Sequence, residues 1–344
     1  MINLKIIVDA FGGDNAPLEI IKGSKMAETE FGYEIILVGD ENVIKETAKN
    51  NQIDISSMQI VGASSIINMD DEPMAVMKSK KDSSLAVGLR LLKDGAGDAF
   101  VSAGNSGALA VGATLIVRRI LGVKRCAFAP VIPKNKGRFM LIDSGANVEC
   151  RPEMLEQFGV MGSAYMQNVM CVANPRVGLV NVGAESSKGN ELYKSAYDLL
   201  KKNTFINFTG NVEAREIPID GADVIVADGF TGNIILKFYE GMAKTIFGKF
   251  KNLLMKNLKT KLAAFAIKSD LVAMKKESDY KEYGGAPLIG ISKPVFKAHG
   301  SADAKTFKNA IRLTGEYVKR NVCGIISKSI SEMSMRENRD EIKN

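Results

Sequence analysis

The sequence predicts an α/β protein built as a doubly wound three-layer α/β/α sandwich. Three observations carry this. Short apolar, β-rich runs alternate with helical patterns along the chain. Many of those runs are continuously apolar rather than alternating, the mark of strands covered on both faces. Most end in Gly with Asp, Asn or Ser and pass directly into a helical pattern. A chain of 344 residues, 46% hydrophobic and 25% charged, can bury a core of that kind without cross-links.

Ten strands are expected in chain order. Lys5–Asp9 runs into IIVDAFGGDNAP, which holds Asp9, Gly12 and Gly13. Ile35–Val38 and Gln59–Val61 follow, separated by helical stretches. Ala99–Val101 ends in VSAGNSGALA, where Asn105, Ser106 and Gly107 open a helix of small residues. Phe128–Ile132 and Phe139–Ile142 come next, the second running into LIDSGANVE with Asp143 and Asn147. Val177–Asn181 leads into LVNVGAESSKGNE with Lys188, and Phe205–Phe208 into NFTGNVEAR with Arg215. Val224–Ala227 leads into IVADGFTGN with Asp228, Thr231, Gly232 and Asn233. Leu288–Ile291 is the last strand, and KAHGSADA, with His299, closes the set. One catalytic unit over 1–326 is expected, with a basic amphipathic helical excursion at about 245–283 and a polar tail over 327–344 that frays.

Ligands of open parallel sheets bind beyond the carboxyl ends of the strands. The Gly/Asn/Ser turns are therefore expected to gather on one rim. Glycine lets backbone approach a ligand, and a helix N-terminus offers free N–H groups, so such turns suit a phosphate. Neither a Walker A loop nor a GxGxxG dinucleotide fingerprint is present. For any single turn, an ordinary strand-to-helix connection remains the simpler reading. Asp9, Asp143 and Asp228 each end a strand; capping the next helix is the leading reading for them, ahead of a Mg²⁺ site. Lys188, Arg215 and His299 are the cationic candidates beside the rim.

The composition narrows the function classes. No apolar run reaches the roughly 18 residues of a membrane span, and Met1-Ile2-Asn3-Leu4-Lys5 enters a strand directly, so a cytoplasmic protein without a signal peptide is expected. Cys126, Cys150, Cys171 and Cys323 form no CxxC pair, and the single histidine argues against zinc; no metal and no cofactor are expected. Arg151 beside Cys150 is the one hint of an activated thiol, and no GxSxG elbow occurs. The net charge of +7 is local: between Lys237 and Lys281 lie eleven lysines, no arginine and four acids, the whole of the excess. That pattern does not suit nucleic acid, and it fits an acidic protein or an anionic membrane surface.

The turns DAFGGDNAP, SAGNSGALA, DSGANVE, KGNELYK, FTGNVEAR and DGFTGN, with TKLAAFAIK, YGGAPLIG and KAHGSAD, closely resemble in content and order those of the bacterial phosphate acyltransferases. They run from residue 9 to about 304, nearly the whole chain, and DGFTGN and YGGAPLIG–KAHGS are specific rather than generic. The resemblance implies a fold like those of phosphotransacetylases and isocitrate- or isopropylmalate-type dehydrogenases. It implies a homodimer that moves a fatty acyl group from acyl carrier protein to inorganic phosphate. The acyl phosphate would supply a membrane glycerol-3-phosphate acyltransferase in phospholipid synthesis.

The chemistry agrees with those residues. Phosphate is already a nucleophile near neutral pH, and a thiol of pKa about 8.5 leaves without a strong acid. The site must hold phosphate beside the thioester and stabilise the oxyanion. Ser106, Gly107, Lys188 and Asn233 are expected to hold phosphate, with His299 or a backbone N–H facing the oxyanion; Lys188, Asn233 and His299 form the catalytic set. Asp9, Gly12, Gly13, Asn105, Asp143, Asn147, Arg215, Asp228, Thr231 and Gly232 complete the binding turns.

In the basic segment, Lys261, Lys268 and Lys275 recur every seven residues, with Lys259 beside them, while Leu258, Leu262, Phe265 and Leu271 fill an apolar arc. Three readings stand: a core or dimer helix, a dock for acidic carrier protein, and a peripheral membrane-surface helix. A transacetylase using acyl-CoA and a non-catalytic membrane-docking scaffold are the alternative functions.

Overall fold

The computed structural model describes residues 4–272 and 284–343, which form two mixed sheets with helices on their faces, a three-layer α/β/α sandwich. The first sheet holds β1 (Lys5–Asp9), β2 (Glu34–Gly39), β3 (Gln59–Gly62), β4 (Ala99–Ser102), β5 (Ala127–Phe128), β11 (Gly285–Ile289) and β12 (Val295–Ala298), in the order β3-β2-β1-β4-β12-β11-β5. The second holds β6 (Val131–Pro133), β7 (Arg138–Ile142), β8 (Arg176–Asn181), β9 (Asn207–Glu213) and β10 (Val224–Val226), in the order β6-β7-β10-β8-β9.

The continuous apolar runs do lie at the centres of these sheets. In β1, Ile6 and Val8 belong to one apolar cluster and Ile7 to another, and all three are fully buried. One face is covered by α1 (Leu18–Phe31) packed on α9 (Ala304–Lys319), the other by α3 (Ser84–Asp94). On the second sheet, α5 (Pro152–Asn168) packs on β7, β8 and β10, with α6 (Glu191–Lys202) beside it and α10 (Val322–Lys343) against it. The remaining helices are α2 (Glu41–Asn50), α4 (Ser106–Gly112), α7 (Gly229–Leu254) and α8 (Leu258–Ala266).

Four expectations meet a different outcome. The run Phe128–Ile132 is two strands in two sheets, β5 and β6, separated by Ala129-Pro130, since proline cannot donate to a ladder. β12 was hidden because its Lys297-Ala298 reads as the start of the KAHGSADA turn. The strand expected at Phe205–Phe208 starts later, because Phe205 N–H is turned onto Asn203 Oδ1 at 2.9 Å; β9 then runs through FTGNVE, so this stretch is strand, not a strand-to-helix turn. The sheets are not purely parallel: β6–β7, β11–β12 and β11–β5 are antiparallel. The links 134–137 and 290–294 are too short for a crossover helix, so the chain must double back.

The boundary at 326 falls inside α10, which buries Ile326, Ile330 and Met333. The excursion at 245–283 is the end of α7, then α8 and helical residues 268–272; 273–283 lie outside the described residues.

Candidate functional site

Three strand exits of the first sheet lock together. Asp9, buried at the end of β1, accepts from Ser102 Oγ at 2.6 Å and Phe11 N at 3.3 Å, and Ser102 Oγ in turn accepts from Gly104 N at 3.0 Å. Burial raises the Asp9 carboxyl, against the lowering effect of the Ser102 and Ser84 hydroxyls. The loop after β1 then crosses the loop after β12: Asp14 N donates to Gly300 O at 2.8 Å. Gly13 sits there at φ +97°, and a Cβ on it would stand 2.8 Å from Gly300 O, so the crossing requires glycine. Asn105 caps α4 through Ala108 N, while its Nδ2 holds the carbonyls of Asn68, Met69 and Asp71.

Two exits of the second sheet interlock in the same way. Asp143 is buried after β7 and gathers the loop around itself, accepting from the N–H groups of Gly145, Ala146 and Asn147 and from Asn147 Nδ2. It also accepts from Phe128 N at 3.0 Å, which ties β5 of the first sheet to β7 of the second. Burial raises this carboxyl too, against those bonds. Asp228 caps α7 through Thr231 N at 2.9 Å and accepts from Tyr193 OH at 2.5 Å. Gly229 N donates to Asn147 O at 2.7 Å, and a Cβ on Gly232 would run into the Asp143 carbonyl oxygen. The start of α7 can therefore rest on the Asp143 loop only with glycine at those positions.

A cavity of about 440 Å³ lies where the two groups of turns face each other. Ser106, Ser144, Gly145, Asn233, His299, Gly300 and Ser301 supply polar groups to its wall. Lys237 and Glu240 enter from α7, Lys297 from β12 and Asp14 from the loop after β1. His299 Nε2 stands 3.6 Å from Glu240 Oε1. Phe128, Val131, Ile132 and Leu236 add apolar groups to the lining. A small anion and a hydrocarbon chain could thus lie side by side. Among the described residues no cluster of three or more His, Cys, Asp or Glu side chains suited to a metal occurs. The thiols near the site are poor nucleophiles: burial pushes Cys126 up to about 11 and Cys150 to about 12.

The expected site residues thus separate into groups. Ser106, Asn233 and His299 line the cavity. Asp9, Gly12, Gly13, Asn105, Asp143, Asn147, Asp228, Thr231 and Gly232 build the turns around it, and Gly107 lies in the first turn of α4 against Pro73. Lys188 and Arg215 are not brought to it. Lys188 is exposed on the loop after β8. Arg215, 74% exposed, pairs with Glu213 at 3.1 Å and Glu216 at 3.4 Å. The reason is strand order: β8 and β9 form the edge of the second sheet away from β6 and β7, so their exits do not reach the cavity. Lys237, Lys297, Asp14 and Glu240 were missed. For Lys297 a signal existed, a lone lysine inside the apolar run Val295-Phe296-Lys297-Ala298.

A second surface is apolar and open. Along α7, Phe230, Ile234, Phe238, Met242, Ile246 and Phe250 form an exposed stripe at helical spacing, and Leu253 continues it. α8 buries no residue: Leu258, Leu262 and Phe265 are 73%, 64% and 77% exposed, with Lys259 and Lys261 exposed beside them, which excludes the core-helix reading of these positions. Lys268 is exposed and Leu271 half-buried; Lys275 lies outside the described residues. Among the described residues no helix is long and apolar enough to cross a membrane.

Residues 4–325 match the profile of a family described as "Fatty acid synthesis protein". The chain is 45% identical over 333 residues to a phosphate acyltransferase of Acetivibrio thermocellus, covering 96% of this chain and 98% of that one. It is 46% identical over 330 residues to a phosphate acyltransferase of Alkaliphilus oremlandii, with the same coverage. Among solved structures, the EutD phosphotransacetylase of Staphylococcus aureus superposes with a TM-score of 0.59 at 17% identity, covering 92% of this chain and 94% of that one. A phosphotransacetylase of Streptococcus pyogenes gives 0.59 at 16%, covering 96% and 94%. These two likenesses concern the fold.

Proposed function

The chain belongs to the phosphate acyltransferase family and is an acyltransferase whose acceptor is phosphate; we propose that its acyl donor is the thioester of an acyl carrier protein and that its acyl phosphate enters phospholipid synthesis. The observation that carries this reading is the cavity itself, whose lining combines polar and cationic groups with the apolar Phe128, Val131, Ile132 and Leu236. It suits a phosphate held against the carbonyl end of a fatty chain.

In this reading Ser106 and Asn233 hold the phosphate dianion, with the turns built on Asp9, Asp143 and Asp228 fixing their positions. A phosphate oxygen attacks the thioester carbonyl carbon, and His299 or a backbone N–H stabilises the tetrahedral oxyanion. Collapse breaks the C–S bond, the sulfur leaves as thiolate, and the proton carried by hydrogen phosphate ends on that sulfur. Atoms and charge balance without an acyl-enzyme. The buried Cys126 and half-buried Cys150, both with raised pKa values, fit a mechanism that does not use a protein thiol.

Leu258, Lys259, Lys261, Leu262, Phe265, Lys268 and Leu271 form the docking surface in this reading; Lys275, expected with them, lies outside the described residues. Their local positive charge favours an acidic carrier protein, and their exposed apolar groups favour peripheral contact with an anionic membrane where a glycerol-3-phosphate acyltransferase would take the product. The α7 stripe supports a homodimer, since an apolar face this long is ordinarily covered.

The deciding assay combines purified protein, acyl carrier thioester and phosphate, and scores acyl phosphate and free carrier. Phosphate-dependent release of carrier is expected, with acyl-CoA a poorer donor. Turnover of acyl-CoA alone would replace the carrier by CoA, and no phosphate-dependent turnover of either would overturn the reading.

A further inference from the structure

Lys297 occupies an unusual position for a lysine. It is the third residue of β12, in register with Ser102 of β4 on one side and Ala286 of β11 on the other. Its neighbours Phe296 and Ala298 are fully buried. An ammonium brought into such a sheet costs free energy unless something compensates it. Here the compensation is two backbone dipoles: Nζ donates to Ala103 O at 2.9 Å and to Ala298 O at 2.6 Å. No carboxylate forms an ion pair with it among the described residues. An ammonium carries three N–H groups, and the third is left for the cavity that Lys297 lines. The carbonyl it grips, Ala103, belongs to the turn that delivers Ser106 to the same cavity.

We propose that Lys297 is a substrate-binding residue, whose ammonium serves as the counter-ion for the phosphate acceptor. It takes over the task that sequence reasoning gave to Lys188, which the fold leaves outside the cavity. The inference rests on the reading of the cavity as the phosphate site. A purely structural lysine would need only to brace the Ala103 carbonyl; a phosphate ligand must also hold its charge where the anion arrives.

The groups that face Lys297 are Asp9 and Asp14 from β1 and its exit loop, Lys237 and Glu240 from α7, and His299 from the loop after β12. Burial, reinforced by the Lys237 cation, pulls the Lys297 ammonium down to about 8, with Asp14 and Asp9 opposing. Phosphate is already a dianion above that pH, so a change in its affinity there belongs to the protein.

Initial rates against phosphate concentration between pH 7.0 and 9.5 test this. For the wild type, KM for phosphate is expected to climb above about pH 8, toward tenfold per pH unit, while KM for the acyl donor stays flat. Lys297→Gln is expected to raise KM for phosphate at least tenfold at pH 7.0, with KM for the acyl donor within twofold. Lys297→Arg keeps a charge that does not titrate in this range and is expected to lose the alkaline climb. A phosphate KM within twofold of wild type in a folded Lys297→Gln protein would overturn the assignment. So would a flat wild-type profile from pH 7.5 to 9.5, a measurement that needs no variant to fold. Thioester loss that is independent of phosphate in the wild type would instead remove the underlying phosphate site, and the assignment with it.

Discussion

Gly232 shows how closely this site is built at the scale of single residues. A methyl group there would meet the Asp143 carbonyl oxygen, and a helix cannot move one residue without moving its turn. Gly232→Ala is therefore expected to destabilise the protein by about 1–3 kcal/mol and to lower turnover far more than that loss of stability explains. Chemical denaturation and initial rates measured on the same preparation check both. Arg215→Ala is expected to leave turnover within twofold and stability within about 0.5 kcal/mol, because an exposed pair with Glu213 and Glu216 contributes little. A tenfold loss would show that the β9 edge reaches the chemistry. The turn residues were legible in the sequence because Asp, Gly and Asn have few other reasons to recur at strand ends. Lys297 left only the mark of a lone lysine in an apolar run; that it stands at the cavity depends on the strands on either side of it, and β4 and β11 come from distant parts of the chain.

At the scale of elements, α7 and α8 carry the open question of partners. α7 has 26 residues, so it is about 39 Å long at 1.5 Å per residue, and only Gly229 and Gly232 are buried in it. If the stripe centred on Phe238 is covered by a second copy, Phe238→Asp should convert the protein to a monomer by light scattering. An unchanged mass would free that face for another partner. Leu258→Glu should abolish flotation with anionic liposomes while leaving turnover of a water-soluble thioester within twofold. Persistent flotation would detach α8 from the membrane reading. The amphipathic pattern of this segment was readable from spacing alone; that its apolar side stays open was not, since a helix covered by its own core has the same pattern. Two of the β-strand surprises have local causes, Pro130 splitting one run and Asn203 delaying another.

Across the whole molecule, Asp143 is the residue that holds the halves of the cavity together. Its carboxylate accepts from Phe128 of the first sheet and from three N–H groups of its own loop. Removing it orphans several buried donors at once, each costing about 1–3 kcal/mol. Asp143→Ala is thus expected to lower the melting temperature markedly and abolish acyl transfer together, where Gly232→Ala affects mainly the second. The N-terminal ends of β8 and β10, where Arg176 meets Asp223, add a pH dependence. Burial raises the Asp223 carboxyl, but its bonds to Arg176 and Lys134 outweigh that and hold it below the ordinary range. A lowered carboxyl contributes stability that is present above its unfolded pKa of about 3.9 and lost as the pH falls through its folded value. The denaturation midpoint should fall below about pH 4, and less steeply in Asp223→Asn.

The sequence by itself determined the α/β class, the positions of most strands along the chain and the family, because burial on both faces of a strand and tight glycine turns leave marks within ten or so consecutive residues. It also located the excess charge. Only the tertiary structure decided which turns face one another. Exits of β1, β4, β7, β10 and β12 meet at one cavity, while those of β8 and β9 are carried away by their place at the edge of the second sheet. Strand order depends on how distant segments pair across both sheets, and no local pattern records it. The same physics explains the exchange of Lys188 for Lys297: residue type proposes a cation for phosphate, and the packing of β12 between β4 and β11 determines which cation stands at the cavity.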